Sequence, residues 1–172
     1  LHDWQTGSVT DMSSMFEDAD VNSTTTFENW DVEKVTTTAG MFRNCANLAD
    51  LTGLKNWNTS AIKEMYRMFY GCKALTTLDG LENWDTSAVT KLGNNSYSDS
   101  GMFEYCSGLT SVEALANWNT GAVTDMRDIF KGCSALTDAT PLNGWNVASC
   151  KWKEYAFDKT GIPSDKLPTW YN

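Results

Sequence analysis

Five cysteines, one histidine and a recurring set of acids and amides are the chemically capable groups of this 172-residue chain. Cys45, Cys72, Cys106, Cys133 and Cys150 follow one another at intervals of 27, 34, 27 and 17 residues. Zinc sites need close pairs such as C-x-x-C, so this spacing points away from a metal centre. Oxidising surroundings would allow disulfides instead. Nucleophilic catalysis needs a base beside the nucleophile, and the one histidine, His2, stands at the chain's start. There is no glycine-rich phosphate loop and no H-E-x-x-H. Acid pairs such as Glu17 and Asp18 occupy variable, solvent-facing positions. These absences lead us to expect no catalytic residue, no cofactor and no enzyme. Asn29, Asn56, Asn83 and Asn117 precede tryptophans, and Asp31, Asn58, Asp85, Asn119 and Asn146 follow them. Stacked rows of this kind suit Ca²⁺ or the hydrogen bonds of a repeated turn, and no D-x-D-x-D-G loop argues for the metal.

The elements that hold these groups follow from an internal period. Trp4, Trp30, Trp57, Trp84, Trp118 and Trp145 are 26, 27, 27, 34 and 27 residues apart. Aligned on tryptophan, other positions form columns. Val9, Val35, Ile62, Val89, Val123 and Cys150 come five residues later. Phe16, Phe42, Phe69, Phe130 and Phe157 come twelve later, and Phe103 joins once seven extra residues within 92–100 are set aside. Cys45, Cys72, Cys106 and Cys133 follow phenylalanine by three, and leucines follow in turn. About nine apolar positions per unit cannot close a core alone, but stacked units bury them continuously.

The whole chain, residues 1–172, is therefore expected to be one α/β repeat solenoid of about six 27-residue coils, with a partial unit at Trp170. Apolar residues at i, i+3, i+6 and i+7 between Val and Phe predict a short α or 3-10 turn. The Cys-x-x-Leu-x-x-Leu stretch predicts a short parallel strand in each coil. At ~4.8 Å per coil, six coils span on the order of 30 Å. In this arrangement Trp30, Trp57, Trp84, Trp118, Trp145, Phe42, Phe69, Phe103 and Phe130 are core rather than a sugar-stacking platform. The cysteine column points one way, a poor geometry for the disulfide torsion, and is expected as buried free thiols. Two threonine columns, Thr6, Thr59, Thr86, Thr120 and Thr10, Thr36, Thr90, Thr124, suit turn and capping bonds better than ice binding. Trp152 and Trp170 fall off the pattern or at its end, where partial exposure is expected. Lys153 and Thr160 at inner positions suggest that the turn through Pro163, Pro168 and Trp170 is a lid. Leu1 falls inside a repeat, so the chain is expected to be a fragment with an open first coil, monomeric, with no signal peptide or anchor in it.

A net charge of −9 and a pI near 4.5 exclude the basic stripe of a nucleic-acid protein and disfavour anionic membrane surfaces. No apolar run is long enough to insert in a bilayer.

The motif N-W-[DN]-T-S-x-V-T-x-M-x-x-M-F-x-x-C-x-x-L, as in Asn83-Trp84-Asp85-Thr86-Ser87-Ala88-Val89-Thr90 and Met68-Phe69-Tyr70-Gly71-Cys72, resembles the BspA-like leucine-rich-repeat surface proteins. More narrowly it resembles their Trp-containing branch in mycoplasmal lipoproteins and bacterial cell-wall proteins. The resemblance runs from Leu1 to about Phe157. It implies a right-handed, leucine-rich-repeat-like stack, extracellular and attached to the cell surface, used in adhesion. It carries over no catalytic residues.

Departures from the repeat mark the candidate contact surface. Tyr66, Tyr70, Tyr105 and Tyr155 stand outside the columns. The insertion contributes Asn94, Asn95, Tyr97 and Asp99 on an expected projecting loop. Tyrosine is favoured at interfaces, so a macromolecular partner, a protein, is the expected ligand. A structural spacer in a larger surface protein is the alternative, and glycan binding through exposed aromatics a further one.

Overall fold

Tight turns, rather than long helices or strands, set the path of each unit. The computed structural model describes residues 4–171, so Leu1, His2 and Asp3 lie outside the described residues. In the second unit Met41, Arg43 and Cys45 donate N–H bonds to carbonyls three residues back, those of Thr38, Gly40 and Phe42, at 3.0–3.1 Å. The alternate groups, Gly40, Phe42 and Asn44, donate instead to Tyr66, Met68 and Tyr70 of the next unit at 2.6–3.0 Å. An α-helix would keep all of these bonds inside the segment. Here half of them tie one unit to the next.

That alternation goes with a left-handed backbone two residues before and two after phenylalanine, except before Phe103, where Gly101 is not left-handed and donates its N–H to Glu104. The positions carry φ values of 54–75° at Ser14, Asp18, Gly40, Asn44, Arg67, Gly71, Tyr105, Asp128, Gly132, Tyr155 and Lys159. Only glycine takes this conformation freely, and any other residue gives up about 1–2 kcal/mol.

Regular elements sit elsewhere than the apolar pattern places them. Short 3-10 helices, Thr25–Phe27, Thr52–Leu54, Glu113–Leu115 and Thr140–Gly144, precede the tryptophans, and Ser164–Lys166 follows the last full unit. Parallel pairing among the described residues is confined to isolated bridges, one row along Asp11, Thr37, Glu64, Lys91, Asp125 and Trp152 and a separate bridge between Ser23 and Asp50. In the Cys-x-x-Leu stretch the leucine N–H folds back onto the cysteine carbonyl, as in Leu48 to Cys45 and Leu136 to Cys133. A donor used locally cannot join a ladder. No α-helix occurs among the described residues, and no helix there is long and apolar enough to cross a membrane.

Equivalent side chains lie over one another. Phe16, Phe42, Phe69, Phe103, Phe130 and Phe157 form one stack with ring centres 5.5–5.7 Å apart. Trp57, Trp84, Trp118, Trp145 and Trp170 form a second at 6.1–6.5 Å, with planes within 10° of parallel. Trp30 to Trp145 are 4 % exposed, and the central phenylalanines and cysteines not at all. Trp4 stacks on Trp30 and is 52 % exposed. At the other end Trp170 and Tyr171 pack on Phe157, and Lys153 Nζ donates to the Trp170 carbonyl.

The buried polar groups repeat as well. Nε1 of Trp57, Trp84, Trp118, Trp145 and Trp170 each donates to a carbonyl of the preceding unit, as in Trp57 to Phe27 and Trp84 to Leu54, both at 3.0 Å. Thr59, Thr86 and Thr120 are buried and donate Oγ1 to the carbonyl after the next tryptophan at 3.0 Å, so this threonine row faces inward rather than toward ice. Asp31, Asn58, Asp85, Asn119 and Asn146 accept N–H bonds from two residues on, which gives the amide and acid row its work at a turn.

Cys45, Cys72, Cys106 and Cys133 are free thiols, each 3.1 Å from the phenylalanine carbonyl one unit back. Burial pushes all four upward from the usual thiol range, most strongly in Cys72, Cys106 and Cys133. A thiol reagent at mildly alkaline pH should leave these four unmodified in the native protein and find five thiols once the chain is unfolded. Native labelling at the rate of a free cysteine would show that the column is open.

Candidate recognition surface

The seven extra residues leave the stack at one point and return to it. Leu92 takes the place that Met65 holds one unit earlier, and Ser100 and Gly101 rejoin the turn before Phe103; Leu92 and Ser100 are 1 % and 0 % exposed. Residues 93–99 are therefore the true excursion, narrower than the 92–100 loop expected. The Asn95 N–H donates to Asp125 Oδ2 at 2.7 Å, the Asn94 N–H to Ser100 Oγ at 3.0 Å, and Arg67 Nε to the Asp99 carbonyl.

Four of the predicted tyrosines come together in two pairs. Tyr66 and Tyr97 stack at 6.1 Å, and Tyr70 meets Tyr105 edge-on at 5.5 Å. Arg67 lies over the Tyr97 ring at 4.6 Å and Arg43 over Tyr70 at 5.3 Å, both within cation–π range. Burial first, then neighbouring acids, raises the Tyr66 and Tyr70 phenols, which stay neutral donors. Tyr97 and Asn95 are exposed, and Asp99 partly so. Tyr155, 57 % exposed, joins neither pair.

Asn94 does not belong on this surface. It is buried, and its Oδ1 accepts the Ser96 N–H at 3.0 Å, so it shapes the loop from inside. An Asn at a loop start is as suited to bonding its own backbone as to meeting a partner, and the sequence alone does not separate the two.

Two shallow grooves run beside the tyrosines. One, of about 190 Å³, has Ser14, Glu17, Arg43, Tyr66, Arg67 and Tyr97 in its lining. The other, of about 310 Å³, lies between Tyr70, Tyr105, Asn44 and Lys73.

Below the loop sits an ionic cluster with no signature in the repeat pattern. Lys131 Nζ stands 3.1 Å from Asp99, 3.0 Å from Glu104 and 3.2 Å from Asp128. The carboxylates of Glu104 and Asp128 are fully enclosed, and Glu104 Oε2 also accepts the Gly101 N–H at 3.1 Å. Burial pushes Glu104 up to about 7 against the pull of Lys131. Asp128 is raised for the same reason. Lys131 behaves oppositely: partial burial works against its charge, but hydrogen bonds to Glu104 and Asp99 raise it further. Its four members come from the insertion and from variable positions of two units.

Residues 1–100 and 76–170 match the family described as Mycoplasma protein of unknown function, DUF285. No curated protein and no solved structure matches the chain.

Proposed function

The chain belongs to this family of unknown function, DUF285, and from that premise we propose that it is a non-catalytic recognition module with a protein as its partner. The finer identity we propose is a BspA-like, leucine-rich-repeat solenoid displayed outside the cell. The observation that carries this reading is the gathering of Tyr66, Tyr97, Tyr70 and Tyr105 around the one insertion, on a single flank. A spacer has no use for aromatics concentrated on one side. Rigid tyrosines supply contact area at small entropic cost, and the stack beneath them holds their backbone in place.

Excising residues 93–99 restores the 27-residue spacing and provides the test. The shortened chain should keep its cooperative unfolding while losing most of the retention of surface and matrix proteins that the full chain shows in affinity capture. Identical capture by both chains would remove the loop from the function.

A further inference from the structure

The smaller groove has a chemistry of its own. Its volume of about 190 Å³ is below the roughly 300–1,000 Å³ of small-molecule pockets, which is room for a side chain rather than a whole ligand. Arg43 and Arg67, two of the chain's three arginines, converge on it. One Nη of Arg43 is paired with Glu17. Arg67 spends only Nε, on the Asp99 carbonyl, and its two Nη groups bond nothing else among the described residues. The guanidinium carbon lies 4.6 Å from the centre of the Tyr97 ring, and Tyr66 stacks on Tyr97.

Arg67 occupies a left-handed position (φ 58°) that the turn imposes in most units and at which the preceding unit has Gly40. A residue without a side chain is therefore accepted there, and the guanidinium is an addition to the turn rather than a part of it. Glu17 also lines the groove and offsets Arg43, so Arg67 supplies the uncompensated positive charge there, and screening over about 8 Å at physiological salt limits the influence of the chain's more distant acids.

We propose that this groove takes the carboxylate of a glutamate or aspartate from an extended acidic segment of a protein partner. Arg67, placed over Tyr97, offers a planar fork to the carboxylate, and the exposed part of Tyr97 meets the neighbouring residue. The assignment rests on the recognition reading and specifies what that surface binds.

The test uses fluorescence polarisation with a labelled peptide alternating glutamate and tyrosine, a matched peptide with glutamine for glutamate, and a sialylated oligosaccharide. Arg67→Gly removes the guanidinium while placing in the turn the residue it accepts most easily, so the fold is kept. The glutamate peptide should bind and lose affinity about tenfold or more in Arg67→Gly and in Arg43→Gln. Arg127→Gln, which alters the arginine outside the groove, should leave binding unchanged. Equal binding of glutamate and glutamine peptides, no binding of either, or preference for the sialylated sugar would each overturn the proposal. Should loop excision abolish protein capture while Arg67→Gly leaves it intact, the recognition reading stands and the groove assignment alone falls.

Discussion

Lys131→Met should destabilise the chain by about 3–5 kcal/mol at pH 8 and by much less at pH 5. Among the described residues the lysine is the only cation within ion-pair distance of both Glu104 and Asp128, whose carboxylates are enclosed, and removing one partner of a buried ion group strands the other. The pH dependence follows from the sign of the shifts. Glu104 titrates near 7 in the folded chain and near 4.5 when unfolded, so between those values the folded state holds the extra proton. Stability therefore falls as pH rises through this window, by roughly 3 kcal/mol for the full difference. Asp128 adds a change of the same sign. Asp11, Asp50, Asp85 and Asp99 are lowered by their hydrogen bonds and act oppositely, their contribution being lost only on acidification below the usual carboxylate range. The wild-type protein should thus resist urea better at pH 5 than at pH 8. In the Lys131→Met variant Glu104 and Asp128 can protonate at pH 5, which removes most of the penalty. Adding Glu104→Gln should recover part of the loss at pH 8. A loss of the same size at both pH values would mean that the cluster is not buried as described.

Trp84→Ala is expected to cost roughly 3–5 kcal/mol, whereas Trp4→Ala should cost under about 1 kcal/mol. Both residues share a sequence column, so the contrast tests stacking rather than residue type. Trp84 lies between Trp57 and Trp118 at 6.3 and 6.1 Å, is 4 % exposed, and satisfies the Leu54 carbonyl. Alanine leaves a cavity and removes one of the two bonds to the Leu54 carbonyl, which keeps the Trp57 N–H. Trp4 has one ring neighbour, Trp30, and half of its surface in water. Against a total of about 5–15 kcal/mol for a typical domain, the Trp84 loss shifts the denaturation midpoint plainly. Equal shifts for the two variants would break the link between column position and burial.

The periodic part of the molecule was legible because identical units repeat each burial decision. Tryptophan, phenylalanine and cysteine recur at fixed spacing, and each such position from Trp30 to Cys133 is buried. The local backbone was less legible. Apolar residues at i, i+3, i+6 and i+7 fit both a helical turn and a series of three-residue turns, and the difference lies in where the alternate N–H groups go. Gly40, Gly71 and Gly132 were the available sign of left-handed positions, obscured by Arg67, Tyr105 and Asp128 standing at equivalent sites. Of the surface, the tyrosines and the insertion could be picked out as departures from a pattern. Asn94 was misassigned because a loop residue's composition does not say whether its amide turns inward. Arg43, Arg67 and Lys131 carry their meaning only through contacts across units, at separations such as the 32 residues between Lys131 and Asp99.

The ring spacing across the insertion has a practical consequence. Trp84 and Trp118 are 6.1 Å apart, and Phe69 and Phe103 5.7 Å, the same as in uninterrupted neighbours. A scaffold that carries a seven-residue detour without altering its pitch is suited to accept other peptides at that junction. Engineers could graft foreign epitopes between Leu92 and Ser100, and evolution could vary specificity there by exchanging one segment.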